Sequence, residues 1–290
     1  MTEAYIRYNE PMSSHTTFKI GGPADVFAEP AFNELRELYP RLAAAGKPIT
    51  LIGNGSNLLV SDRGIRGTVI CIGQAMSSVS VSGNVITAEA GALLSAVANR
   101  AAEYGLSGME CLAGIPGTIG GAVYMNAGAY GGEMKDVVTG VTVLKPDGSL
   151  VNYSGDEMDF SYRHSRMYDE DGIVVSVKFT LAPGDETEIR SRMAELAAKR
   201  RDKQPLNYPS AGSTFKRPEG YFAGKLIEDA GLRGYTVGGA CVSEKHCGFV
   251  VNKGGATAED VLRLIGDVQD EVMKDFGVRL EPEVRMIGEF

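Results

Sequence analysis

IGNGSNLLV, residues 52–60, runs an apolar strand into Gly53, Asn54, Gly55, Ser56 and Asn57 and out again into a second apolar strand that opens at Leu58. Glycine here permits positive φ and a close backbone approach, and successive N–H groups with two polar side chains can form a nest for an anion. A tight turn is the other reading of the same residues. No helix follows the turn, so the GxGxxG dinucleotide fingerprint is excluded. Upstream, AFNELRELYPRLAAAG at 31–46 has apolar residues at helical spacing and stops at Gly46, which makes the first piece a compact αβ unit.

Working outward, the pattern changes near residue 73. VSVSGNVITAEAG from Val79 alternates as paired strands, and a helix is expected over 92–104 with Leu94, Val97, Ala98 and Ala101 on one face. Strands are expected at 137–145, 150–153 and 173–181, with a PDG turn at 146–148, so this part reads α+β with mostly antiparallel strands. Within it, LAGIPGTIGGAVYMNAGAYGG at 112–132 is too rich in glycine for a regular helix throughout. Gly114, Ile115, Pro116, Gly117, Thr118, Gly120, Gly121 and Ala122 offer open backbone and one hydroxyl; Asn126, Gly128, Ala129 and Tyr130 add polar and aromatic contacts suited to a fused-ring ligand. Two separate glycine segments suggest one extended ligand held by both.

A helix over 185–203 places Ile189, Met193, Leu196 and Ala197 on one face and ends in the basic run KRRDK; Pro205 and Pro209 then mark a boundary. Beyond it, the helix at 258–276 is the clearest in the chain. Thr257 caps it, Asp260 completes the box, Val261, Leu264, Ile265, Val268, Val272 and Phe276 form its buried face, and Gly277 stops it.

With 29 basic and 37 acidic residues the net charge is −8, and the cations are scattered, which argues against a nucleic-acid surface but not against local diphosphate binding at backbone N–H groups. The N-terminal 25 residues lack a signal-peptide pattern and no window is apolar enough to span a membrane, so a cytoplasmic protein is expected. Cys71, Cys111, Cys241 and Cys247 and three dispersed histidines have no metal or redox spacing; no metal is expected.

Seven motifs then acquire meaning together: HTTFKIGGPADVFAEP at 15–30, GNGSNLLVSD at 53–62, AGIPGTIGGAVYMNAGAYGGE at 113–133, SYRHS at 161–165, AGSTFKRP at 211–218, AGKLIEDAGLRG at 223–234 and LEPEVRMIG at 280–288. In order and spacing the chain resembles the UDP-N-acetylenolpyruvoylglucosamine reductases over essentially its whole length. The resemblance implies an α+β protein with a two-part FAD-binding region of the PCMH/vanillyl-alcohol-oxidase type and a smaller C-terminal α/β substrate domain. The segments would be 1–72, joined by the C-terminal strand 284–290, then 73–205, then 206–283. It implies FAD as cofactor, held by Gly53, Asn54, Gly55, Ser56, Asn57, Leu58 and the second glycine segment, with NADPH as reductant and UDP-N-acetylglucosamine enolpyruvate as substrate. Hydride added to the vinyl carbon leaves a carbanion next to a carboxylate. Arg163 carries over as the cation on that carboxylate, Ser213 as the proton donor and Glu283 as the acid opposite; Ser210 and Glu281 are the neighbours each could be confused with. Lys199, Lys203 and Arg217 are candidates for the UDP diphosphate. From 163 to 213 the spacing leaves no room for an inserted substrate-covering tyrosine loop, so the chain resembles the shorter branch, and Tyr221 is a candidate for that role. Neither glycine segment contains histidine, which argues against an oxidase with covalently attached flavin.

Overall fold

The computed structural model describes residues 4–290; the first three residues of the expected segment 1–72 lie outside the described residues. The chain forms two compact units. One gathers residues 4–7, Phe27–Asn54 and Thr68–Arg200, the other Tyr8–Val26, Gly55–Gly67 and Arg201–Phe290.

In the first unit, helix α1 (Phe32–Ala44) buries Leu35, Leu38 and Tyr39, and strand Ile49–Ile52 pairs in parallel with Thr68–Cys71. The centre is a five-stranded antiparallel sheet in the order Leu150–Ser154, Val138–Leu144, Ile173–Thr180, Val85–Glu89, Val79–Ser82. Its inward side chains, among them Ile86, Ala88, Val141, Val143, Val177 and Phe179, share one core with Leu94, Val97, Ala98 and Ala101 of helix α2 (Leu94–Glu103), as the alternation and the helical spacing require. The glycine segment folds over this sheet with a single short helix, α3 (Ile119–Tyr124), inside it. Helix α4 is Glu186–Lys203, with Ile189 and Leu196 buried.

The second unit packs helices α5 (Ala223–Asp229) and α6 (Ala258–Phe276) with the short strands Thr236–Val237, Ala240–Val242 and Val250–Asn252. Helix α6 starts in the expected capping box, Thr257 accepting from the Asp260 N–H, and ends at Gly277 with φ 67°. Phe276 departs from expectation: it is 39% exposed. It is the last residue of the 19-residue helix, directly before the Gly277 stop, and the chain leaves the helix there with the ring partly open to solvent. The final strand, Arg285–Ile287, lies parallel to Leu58–Val60, just after the first glycine turn.

Candidate active site

The two glycine segments meet within the first unit. Asn54 Nδ2 donates to the Pro116 carbonyl at 2.7 Å, and Gly53 backs onto Thr118 so closely that a Cβ on Gly53 would lie 2.2 Å from Thr118 Oγ1. Thr118 is the residue preceding α3. It is 4% exposed, and its hydroxyl has no hydrogen-bond partner among the described residues, an arrangement that costs free energy unless a ligand completes it. Gly55 has a different reason to be glycine: with φ 61°, its Cβ would lie 2.0 Å from the His15 carbonyl oxygen. Asn57 spends its amide on the Glu283 carbonyl at 3.1 Å.

Further along, Asn126 and Tyr130 hold φ values of 44° and 53°, a region that side chains other than glycine enter rarely. Asn126 is fully buried. Its Nδ2 donates to Glu133 Oε2 at 3.0 Å and to the Ser161 carbonyl at 2.9 Å, and its Oδ1 accepts the Lys135 N–H at 3.0 Å. Its amide therefore positions protein rather than presenting free donors to a ligand.

What Asn126 positions is the SYRHS hairpin. Ser161 and His164 exchange backbone hydrogen bonds of 3.1 and 3.2 Å around Tyr162 and Arg163, and the fully buried Ser165 donates its hydroxyl to the Tyr124 carbonyl at 2.7 Å. Both ends of the hairpin are thus tied to the glycine segment. Arg163 sits at the turn with φ 56°, its guanidinium 5.0 Å from the Tyr162 ring centroid and 3.5 Å from the Gly128 carbonyl.

Behind the hairpin, Glu170 is the hub of a charge cluster. Oε1 accepts from Lys145 Nζ at 2.7 Å and Tyr153 OH at 2.6 Å, and Arg166 reaches Oε2 at 3.5 Å and Asp159 at 3.0 Å. These donors, Lys145 first, hold the Glu170 carboxyl down at about 2, from an ordinary 4.5. A depressed carboxylate stabilises the fold fully above its unfolded pKa and loses that contribution as pH falls toward the folded value. Glu170→Gln is therefore expected to cost about 1 kcal/mol near pH 7, allowing for partial exposure, and the gap to wild type closes between about pH 4.5 and 2. Urea denaturation across that range checks it; a gap that persists unchanged at the acid end rules out the ionic origin.

In the second unit, Ser213 follows Gly212, which has φ 80°. The next residue, Thr214, is buried and saturated: its N–H donates to the Gly248 carbonyl at 2.8 Å, its hydroxyl accepts the Val250 N–H at 2.9 Å, and its carbonyl accepts the Glu283 N–H at 2.8 Å. Phe215 then bridges Pro282 and Lys216 N–H donates to the Glu281 carbonyl at 2.8 Å. Ser213 and Glu283 are thereby brought onto neighbouring antiparallel segments, both half-buried. Glu281 is 69% exposed and ion-paired to Lys216 at 3.3 Å, whereas Ser210 pairs with Val251 and its carbonyl accepts the Thr17 hydroxyl at 2.7 Å.

Of the three basic candidates, Lys199 is paired with Glu195 at 2.6 Å on an exposed helix face, Lys203 is exposed, and Arg217 stacks 4.0 Å from the centroid of the exposed Phe222 ring. Among the described residues no cluster of three or more His, Cys, Asp or Glu could hold a metal, the four cysteines are free, and no helix is long and apolar enough to cross a membrane.

Residues 28–154 match the FAD binding domain family, and residues 204–287 match the family described as UDP-N-acetylenolpyruvoylglucosamine reductase, C-terminal domain. The chain is 61% identical to the UDP-N-acetylenolpyruvoylglucosamine reductase of Agathobacter rectalis, over 97% of this chain and 94% of the relative. It is 53% identical to that of Caldanaerobacter subterraneus subsp. tengcongensis, over 100% and 96%. The chain belongs to the UDP-N-acetylenolpyruvoylglucosamine reductase family.

The crystal structure of a UDP-N-acetylenolpyruvylglucosamine reductase from Thermus caldophilus shares the fold, with a TM-score of 0.83 and 38% identity over 95% of this chain and 97% of that one. As a family member the chain is an FAD-dependent oxidoreductase of peptidoglycan precursor synthesis with an α+β FAD-binding fold. The residues present suit that cofactor. The FAD-binding match contains both glycine segments, and where they meet stands a buried, unpartnered hydroxyl against a bare Cα.

Sequence reasoning missed two things here. It did not see that Asn126 is a scaffold residue, and it did not single out Arg200, whose position on the buried face of α4 was readable from the helical spacing.

Proposed function

We propose that this protein reduces UDP-N-acetylglucosamine enolpyruvate to UDP-N-acetylmuramate with NADPH as reductant, in the cytoplasm. FAD, held by the two glycine segments, would supply there the hydride chemistry that connects NADPH with the vinyl carbon of the substrate. On this reading residues 1–72 and 73–205 serve the cofactor and 206–283 the sugar nucleotide. Arg163 carries the interpretation: a non-glycine residue is kept at φ 56° by a hairpin anchored at both ends to the glycine segment. Such local strain persists where the surrounding structure over-determines it, as at functional sites.

The guanidinium fork of Arg163 binds the substrate carboxylate and gains strength as charge builds there. Glu283, in its protonated or strongly hydrogen-bonded form, polarises the carboxylate. Ser213 donates its hydroxyl proton to the carbon bearing the ether oxygen, a transfer that a weak acid can make only to a strongly basic carbanion. Arg217 and Lys203 are assigned to the diphosphate ahead of Lys199, which already has a carboxylate partner. Gly53, Asn54, Gly114–Gly121 and their neighbours receive the FAD.

The test of the whole reading is spectroscopic. The purified protein should be yellow, bleach with NADPH and regain its colour with the enolpyruvyl sugar nucleotide; a flavin that the substrate fails to reoxidise sinks the assignment. For the cofactor residues, Gly53→Ala drives a methyl into Thr118 Oγ1 and should weaken FAD roughly tenfold or more, about 1.4 kcal/mol. Gly266→Ala, in α6 with nothing within 4 Å of its Cβ, is the control that should keep its flavin. Equal flavin content in both variants would detach Gly53 from the cofactor.

A further inference from the structure

Helix α4 carries Ile189, Met193 and Leu196 on one face, and the same face arrives one turn later at Arg200. A guanidinium stands where the stripe calls for an apolar side chain. Arg200 is half-buried and lines a cavity of about 250 Å³ with Gly114, Tyr130, Glu110 and Cys111. It lies along the glycine segment: a Cβ on Gly114 would sit 3.2 Å from Arg200 Cδ and 3.4 Å from Nη1.

Among the described residues Arg200 is the only cation on this cavity wall, and Glu110 the only carboxylate. Glu110 is already engaged, Oε1 accepting the Ser107 hydroxyl at 2.7 Å and Oε2 the Gly108 N–H at 2.9 Å. Burial pushes the Cys111 thiol up, which keeps it neutral. Among the described residues none pairs with the Arg200 guanidinium, and burial lowers its pKa, the mark of a charge deprived of water. An arginine drawn out of water without a counter-charge is costly, and a planar fork of donors is matched by a carboxylate or phosphate.

We propose that Arg200 is the anion-recognising residue of this cavity, holding through its guanidinium a pair of oxyanion oxygens carried by a ligand of the glycine segment. This rests on the cofactor reading of that segment. Two ligands carry such oxygens: FAD, through its diphosphate, and the sugar nucleotide, through its carboxylate or diphosphate.

The experiment uses the full-length protein with Arg200→Met, which keeps the apolar stem, and Arg200→Lys, which keeps the charge and loses the fork. FAD is titrated into stripped apoprotein by fluorescence quenching, and UDP-N-acetylglucosamine enolpyruvate is titrated into FAD-loaded oxidised protein by calorimetry. Expected is a tenfold or greater weakening in one titration, larger for Met than for Lys, with the other unchanged and the melting temperature within a few degrees of wild type; the weakened titration identifies the source. Wild-type affinities in both overturn the proposal, as does equal weakening of both with a lowered melting temperature, which is the signature of a packing residue. If Met disrupts folding, Lys alone decides by the same criteria. Wild-type protein that takes up no FAD sinks the cofactor reading and the proposal with it, whereas normal uptake with indifferent variants sinks only the role of Arg200.

Discussion

Ser213→Ala should bind FAD, bleach with NADPH at close to the wild-type rate, and then reoxidise with the enolpyruvyl sugar nucleotide roughly 10²–10⁴-fold more slowly, the range that positioned acid catalysis contributes. The split follows from the order of events. On the proposed mechanism, protonation of the carbanion comes after hydride transfer, so losing the donor would leave the NADPH half-reaction untouched. The fold should tolerate the change, because the neighbouring buried hydroxyl, that of Thr214, takes the structural hydrogen bond from the Val250 N–H, and Gly212 supplies the positive φ of the turn. Ser213→Cys should recover part of the rate, and Ser210→Ala none of the loss, since Ser210 contributes its backbone to the Val251 bridge and to the Thr17 hydroxyl. Stopped-flow absorbance reads both half-reactions. If the alanine variant runs both normally, Ser213 is a turn residue and the donor lies elsewhere, with Glu283 or a water next in line.

Arg163→Gly should abolish most substrate turnover while leaving stability equal to or above wild type. Loss of a donor that acts on developing charge costs roughly 10²-fold or more in rate. Stability moves the other way because Arg163 sits at φ 56°, where a side chain costs about 1–2 kcal/mol that glycine does not, partly offset by the greater freedom of glycine in the unfolded chain. Arg163→Ala keeps the strain and loses the same activity, so the two variants should differ by about 1 kcal/mol, or about 2–4 °C in melting temperature. Arg163→Lys keeps the charge, loses the fork and should also fall roughly 10²-fold in the substrate half-reaction. Wild-type rates in the lysine and glycine variants would remove Arg163 from the site; a glycine variant that is inactive and clearly less stable would make the residue a structural one.

The elements that were legible in the sequence are those whose hydrogen bonds close locally. Thr257, Asp260 and Gly277 bound α6 because a capping box and a left-handed stop are made by residues within one turn of the helix ends. The alternation in Val79–Ser82, Val85–Glu89 and Ile173–Thr180 predicts strands because burial on one face imposes a period of two. Phe276 escaped the same logic, since periodicity says which face of a helix is apolar but not how completely each position on that face is covered.

By itself the sequence determined the four long helices, the strands of the central sheet, the two glycine segments and, through seven ordered motifs, membership in a reductase family that uses FAD. Only the tertiary structure decided what those residues do to one another. The bond from Asn54 to Pro116 spans 62 residues and that from Asn126 to Ser161 spans 35. Separations of that size are closed by the packing of a whole core rather than by any local preference, and no single side chain announces them. That packing leaves the Thr118 hydroxyl buried beside Gly53, twists Arg163 into the left-handed region, and sets Ser213 beside Glu283 through the hydrogen bonds of Thr214. A residue's chemistry is written in its identity, but its partner, its solvent and its strain are properties of the chain folded around it.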